Sequence, residues 1–324
     1  NSKMDTLNKK ISGGSELFYQ NIIYKNKKIL LDHSKYFSNI FLTIATSEYL
    51  NFSLNLASSI EYAAPNWGMI IFTYGLKKSL LNKIKLPDFV ILVNSDFPFD
   101  CNSFEDQKAF SSNSRIPILK ILTNSYRYNS IFYTDADSIL IRDPKEIIYM
   151  MDKKKKSIAF RGYTKHLYTL KNGFTPFKSG VIICRPKMSK CLDKLLLFYS
   201  SKVLSKWNLW SADQICLAKI VTEFRFKDLI FIGKRKINDW DFLPYTYVWQ
   251  AKGNLKSSFS WLLTQKITFL FNKKSFKYYK NFSLILKNVI LFLVSIIFFF
   301  ERKIPSMIKK FLVIQYRYAT NKFF

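Results

Sequence analysis

Ile131-Phe132-Tyr133-Thr134-Asp135-Ala136-Asp137 is the stretch on which the fold turns. Four β-branched or aromatic residues without helical spacing read as a short buried strand. That strand runs straight into two carboxylates separated by the small Ala136. Open α/β sheets bind ligands outside the carboxyl ends of their strands, so both acids fall where a substrate would lie. Two carboxylates there suit one hard cation, Mg²⁺ or Mn²⁺, with phosphates and water as further ligands. Without a cation they would repel, and one would be pushed toward protonation. Spacing alone decides nothing. With 15 aspartates in the chain, chance gives about 0.7 such pairs. A second pair, Asp239-Trp240-Asp241, is indeed present. The competing reading of Asp135 and Asp137 is a pair of turn or cap residues on a loop.

Outward from this segment, apolar runs alternate with helix-like stretches, the pattern of βαβ units in a mostly parallel sheet. Ile40–Ala45, Met69–Thr73 and Phe89–Val93 read as strands before it, and Ser157–Phe160 and Gly180–Cys184 as strands after it. Tyr49–Tyr62, Leu192–Tyr199 and Asp213–Val221 carry helical spacing. Ile116–Tyr126 suits a helix with Pro117 in its first turn, where proline is tolerated. Residues 1–35 read as a basic N-terminal extension with one strand-like run at Lys28–Leu31. Residues 36–250 read as the α/β domain and 251–324 as a basic, aromatic helical tail.

The segment continues Ser138-Ile-Leu-Ile-Arg142-Asp143-Pro144, and as a whole it resembles the Asp-x-Asp region of nucleotide-diphospho-sugar transferases similar to glycosyltransferase families 8 and 77. The resemblance covers about residues 39–250 and rests on landmarks in order. Ala45-Thr46-Ser47-Glu48-Tyr49 is similar to the segment that receives the nucleotide base, which assigns Thr46 and Tyr49 to the donor. Lys120 stands where a basic residue is often found on the helix before the Asp-x-Asp strand. Lys178-Ser179-Gly180-Val181 resembles an Asn-Ser-Gly-Val of the donor or acceptor pocket and is followed by Arg185-Pro186. Ser211-Ala212-Asp213-Gln214 is similar to an Asp-Gln close to the transferred sugar. The resemblance implies a GT-A (Rossmann-like) fold, a mostly parallel sheet flanked by helices, with a helical C-terminal appendage. It implies Asp135 and Asp137 as metal ligands for Mn²⁺ or Mg²⁺. It places Thr46, Tyr49, Lys120, Ala136, Lys178, Ser179 and Gly180 along the nucleotide-sugar donor, and Asp213 and Gln214 at the reacting centre.

The implied reaction is transfer with retention of anomeric configuration, in which the leaving phosphate helps deprotonate the acceptor. An inverting reaction would need a carboxylate base, for which Asp213, Asp239 and Asp241 are available. Two departures stand out: Lys178 replaces the asparagine, and the late histidine of the metal shell is absent, since only His33 and His166 exist. Asp239, Asp241 or waters are the remaining choices for that role. Plainer readings stay open too. Asp213 suits a helix N-cap, Tyr49 a core position, and Trp240 and Trp249 near Pro244 either a sugar-stacking wall or an ordinary hydrophobic corner.

Composition narrows the partners. The chain of 324 residues carries 51 Lys+Arg against 22 Asp+Glu, a formal charge of +29. That attracts anions, although an AT-rich genome yields the same lysine-rich surface without selection. The basic run Lys153–Lys156 reads as a solvated turn, and without a zinc-finger, RNP-like or zipper pattern no nucleic-acid partner is expected. Cys101, Cys184, Cys191 and Cys216 form no CxxC pair, so reduced, buried thiols are expected and a Cys/His zinc site is not. Residues 1–20 show no signal peptide.

Ala251–Ser258 reads as a linker, and Phe282–Phe300 is almost wholly apolar, with basic residues on both flanks: Lys273, Lys274, Lys277 and Lys280 before, Arg302, Lys303, Lys309 and Lys310 after. At about 20 residues the run is borderline for a span. An interfacial helix fits best, ahead of a span or a buried dimer helix. The expected protein lies at the inner face of a bacterial membrane, cytoplasmic and peripheral, and uses a saccharide or lipid-linked acceptor in surface glycan synthesis. Two other readings remain: a haloacid-dehalogenase-like phosphatase, whose nucleophile also lies in a strand–Asp-x-Asp pattern, and a non-catalytic basic protein binding membrane or nucleic acid.

Overall fold

The computed structural model describes residues 11–162, 178–186, 191–223, 229–233, 246–251, 256, 258–271 and 280–301. His166, Asp239, Trp240, Asp241, Pro244, Lys273, Lys274, Lys277 and the basic residues from Arg302 onward lie outside them. The chain divides into two compact units, one of residues 1–53, 66–136 and 144–233, the other of residues 54–65, 137–143 and 234–324.

The first unit is built on a sheet that, among the described residues, has seven strands. They are β1 (Asn39–Ala45), β2 (Gly68–Tyr74), β3 (Val90–Ser95), β4 (Ser130–Thr134), β6 (Ile158–Arg161), β7 (Lys178–Cys184) and β8 (Leu229–Ile232), in the spatial order β3-β2-β1-β4-β7-β6-β8. β3, β2, β1 and β4 run parallel, β7 runs against β4 and β6, and β8 is parallel to β6. β2 is buried along its whole length and β1 at all but its first residue. That burial on both faces is why these strands read as continuous apolar runs rather than alternating ones.

Helices supply the covering layers. α1 (Glu16–Lys25) sends Phe18, Tyr19, Ile22 and Ile23 into the core, and α2 (Lys27–Tyr36) sends Leu30 and His33 inward. Lys28–Leu31 is therefore helical rather than a strand. Its short apolar run looked extended, but Leu30 and His33 are spaced to share one helix face. α3 (Leu50–Ala63) follows a 3₁₀ turn at Ser47–Tyr49 and belongs to the second unit from Leu54 onward, and α4 (Lys78–Leu81) follows β2. α5 (Phe104–Asn113) starts on a capping box, in which Ser103 Oγ accepts from the Asp106 amide at 3.0 Å and the Asp106 carboxylate accepts from the Ser103 amide at 3.3 Å. α6 (Arg115–Ser125) is buried from Arg115 through Thr123, which requires its polar residues to find partners inside the protein. α7 (Lys145–Lys153), α8 (Cys191–Leu204) and α9 (Ala212–Glu223) complete this unit. Cys101, Cys184 and Cys216 are buried free thiols.

In the second unit β5 (Ser138–Leu140) pairs antiparallel with β9 (Val248–Gln250), placing Ser138 opposite Gln250 and Ile139 opposite Trp249. Ser59 Oγ accepts from the Leu140 amide at 2.9 Å. α10 (Phe259–Phe271) and α11 (Lys280–Glu301) pack on each other, and Trp261, Val294 and Phe298 join Ile139, Ile141, Trp249 and Ala251 in a small core. The opposite side of α11 leaves Val289, Phe292, Leu293, Ile296, Phe299 and Phe300 exposed. Those positions recur at three- and four-residue steps and so form one apolar stripe. No helix among the described residues is long and apolar enough to cross a membrane.

Candidate active site

The strand order reverses between β1 and β4, and ligands of open α/β sheets bind where the order reverses, outside the carboxyl ends. β1 ends at Ala45 and hands the chain to Thr46 and the turn Ser47–Tyr49. β4 ends at Thr134 and hands it to Asp135. Thr46 is extended at the start of that turn, its carbonyl accepting from the Tyr49 amide at 3.0 Å. Tyr49 is half-buried, with its ring 5.7 Å from that of Phe52.

Asp135 is held from three sides within the first unit. Its amide donates to the Gly180 carbonyl at 3.1 Å, extending the β4–β7 ladder by one rung. Its Oδ1 accepts from Tyr133 Oη at 3.0 Å and from Arg115 Nη1 at 2.9 Å. Burial pushes the Tyr133 phenol far above its ordinary value, so it serves as a neutral donor. Arg115 lies at the start of α6, with its guanidinium 5.0 Å from the centre of the Tyr133 ring. It also donates to the Ser179 carbonyl at 3.0 Å and to Ser112 Oγ at 2.6 Å. Its Nε stands 3.4 Å from Asp213 Oδ2.

Asp213, in the first turn of α9, is wholly buried. Ser179 Oγ donates to its Oδ2, and the Gln214 amide donates to its Oδ1 at 2.8 Å. Its own amide donates to Asn113 Oδ1 at 3.1 Å, and its carbonyl accepts from Tyr199 Oη at 2.7 Å. Asn113 Nδ2 in turn holds the carbonyls of Trp207 and Leu209, each at 2.8 Å. Asp213 is thus a wired anchor rather than a solvated N-cap. Two carboxylates share one guanidinium, and burial raises the Asp213 carboxyl while Arg115, Ser179 and the Gln214 amide hold it down. Burial has the upper hand, so the Asp213 carboxyl lies above its ordinary value.

Of the residues singled out in the sequence, the first unit therefore brings together Asp135, Ser179, Gly180, Asp213 and Gln214. Ala136 is buried directly after Asp135, and Lys178 opens β7. Lys120 instead donates to Glu16 Oε1 of α1 at 2.6 Å, and the base that reaches Asp135 is Arg115, five residues earlier on the same helix. Arg115 and Asn113 escaped sequence reading. The one available signal was the charge of Arg115 directly before the largely apolar run Ile116–Leu122.

Asp137 begins a segment of the second unit and is 4% exposed. Gln250 Nε2 donates to its Oδ1 at 3.0 Å, and Lys256 Nζ lies 2.8 Å from its Oδ2. The pairing of Ser138 with Gln250 sets this geometry. Carboxylate and amide oxygens are the hard donors that Mg²⁺ and Mn²⁺ take, and the ammonium stands where a cation would bind, so the donor chemistry fits such an ion. Among the described residues no group of three or more His, Cys, Asp or Glu side chains could hold a metal. His33 is remote in role: its Nε2 contacts the Phe89 carbonyl at 3.1 Å inside the core.

No family model matches the chain, and no curated protein matches it. Solved structures do. The galactosyltransferase LgtC, solved in complex with donor and acceptor sugar analogs, matches with a TM-score of 0.50 at 13% identity, over 71% of this chain and 95% of that one. The glycosyltransferase GlyE of Streptococcus pneumoniae TIGR4 matches with a TM-score of 0.48 at 9% identity, over 77% of this chain and 64% of that one. Mouse xyloside xylosyltransferase 1 in its apo form gives 0.41 at 13%, over 67% and 98%. At such identities the likeness is one of fold, and the argument rests on the first of the three. The chain has the GT-A fold, a mostly parallel sheet with flanking helices, as its Asp-x-Asp segment led us to expect.

Proposed function

We propose that the chain is a glycosyltransferase that moves a sugar from a nucleotide-diphosphate donor to a saccharide or lipid-linked acceptor, with retention of configuration. The observation that carries this reading is Asp135, pinned at the carboxyl end of β4 beside the point where the strand order reverses. Thr46 and Tyr49, leaving the neighbouring strand, are the residues assigned to the nucleotide. Breaking a sugar–phosphate bond builds positive charge on the sugar. Preorganised groups of opposite sign stabilise such charge most in a site shielded from water. The acid-rich cluster of Asp135, Asp213 and Arg115 supplies that sign, and its hydrogen bonds hold it in place before the substrate arrives. Gln214, tied to Asp213 through its amide, orients the reacting sugar.

Asp135 and Asp137 would hold Mn²⁺ or Mg²⁺, with donor phosphates and water filling the shell. Bound there, the ion would supply Lewis-acid neutralisation of the leaving diphosphate. The acceptor side is assigned to an anionic membrane surface, met by the apolar stripe of α11. The basic balance of the chain supports that surface over a neutral one.

The test is binding and hydrolysis across UDP-, GDP- and CMP-sugars, with and without Mn²⁺, for wild type and Asp137→Ala. Metal-dependent binding of one donor, weakened at least tenfold in the variant, is expected. No donor binding, or a variant equal to wild type, would overturn the reading. Product anomeric configuration, read by NMR, then checks retention.

A further inference from the structure

Asp137 is nearly sealed from solvent, and both of its oxygens are engaged by the chain itself, Oδ1 by the Gln250 amide and Oδ2 by Lys256. A buried carboxylate without a partner is strongly unfavourable, so Lys256 does for Asp137 what a bound cation would do. The two partners differ in how readily they can leave. Gln250 is wholly buried and fixed by the β5–β9 pairing, whereas the Lys256 side chain keeps 26% of its exposure. Lysine is a compact point charge on a flexible stem, able to exchange one anionic partner for another.

We propose that Lys256 is a resident counter-ion of Asp137 that a divalent cation must displace, which makes metal capture at this carboxylate an exchange reaction. The inference rests on the transferase reading for the identity of the metal site. Metal alone would have to eject the ammonium into water. Metal arriving with a nucleotide diphosphate gives the ammonium new phosphate oxygens to meet, so donor and cation favour one another. Lys256 therefore acts as a positioning residue that couples the two ligands, with Gln250 keeping the carboxylate oriented throughout.

The experiment is a Mn²⁺ titration of the donor-free protein by calorimetry, with Mn²⁺ itself as the probe. Lys256→Met keeps an unbranched side chain one atom shorter and removes the charge. It should bind Mn²⁺ about tenfold more tightly than wild type, the size expected when a competing partly buried ion pair worth ~1.4 kcal/mol is removed. Lys256→Arg should stay at the wild-type affinity or below. Lys83→Met, which removes one exposed charge from the first unit, should change nothing. An affinity in Lys256→Met equal to or weaker than wild type overturns the proposal, as does an equal gain in Lys83→Met, which would make the effect one of net charge. Should Lys256→Met lose its thermal transition, Lys256→Gln serves in its place with the same expected direction. No nucleotide sugar enters this titration, so a protein that binds no donor yet shows the tenfold gain would refute the transferase reading alone.

Discussion

Arg115 is a buried guanidinium that faces Asp135 and Asp213 at once and also holds the Ser179 carbonyl. Removing one member of a buried ionic group leaves the others charged and unmatched, at a cost of about 3–5 kcal/mol. Arg115→Met should therefore lower unfolding stability by that amount in urea denaturation. Arg115→Met combined with Asp213→Asn should recover part of the loss, because it removes a carboxylate that the first change strands. A loss below about 1 kcal/mol would mean that water reaches the cluster. At this scale the sequence was half legible. Asp135 stood out because a strand visibly runs into it, and Ser179 and Asp213 because local segments carry them. Arg115, Asn113, Gln250 and Lys256 did not, since each acquires its role from a partner tens of residues away that no local pattern announces.

Among the elements, β2 begins at a glycine for a reason of space. A Cβ built on Gly68 would lie 2.5 Å from His33 Cε1 and 2.7 Å from Phe37 Cγ, closer than packed atoms approach. α2 can lie against β2 only because nothing projects there. Gly68→Ala should cost about 1–3 kcal/mol through overpacking, measured by thermal or urea unfolding. Adding His33→Ala should make the pair less damaging than the sum of the two single changes. Strict additivity would show that the helix simply shifts. β1, β2 and β4 were readable because burial on both faces makes them short apolar runs. α2 was not, because four residues of Lys28–Leu31 are too few to separate a helix face from a strand, and the deciding residue, His33, lies beyond them.

For the whole molecule, the excess of positive charge and the stripe on α11 point to one measurement. Wild type should co-sediment with vesicles containing phosphatidylglycerol, more weakly as salt is raised, since surface charge is screened within ~10 Å at 0.1 M. Phe292→Asp with Phe299→Asp should reduce binding at least fivefold without altering the thermal transition, because both side chains are exposed. A protein that ignores vesicles but forms dimers abolished by these changes would assign the stripe to a second copy. Point changes are preferred to removal of residues 259–324, because Trp261, Val294 and Phe298 cover Ile139 and Trp249. The sequence disclosed the apolar run of the tail. It did not disclose which side is covered, because that depends on Ile139 and Trp249, far away along the chain.

The spatial order of the sheet also bears on how the protein is made. β1 is an inner strand, yet its two neighbours are synthesised far apart, β2 directly after it and β4 only at residues 130–134. At ~5–20 residues per second, the nascent chain carries one open edge of Asn39–Ala45 for on the order of ten seconds. During that interval an apolar strand with unpaired amides is available to any other strand nearby. The segment that delivers Asp135 to the candidate active site is thus also the one that closes this edge, so newly made chains depend on a single strand both to acquire their chemistry and to escape aggregation.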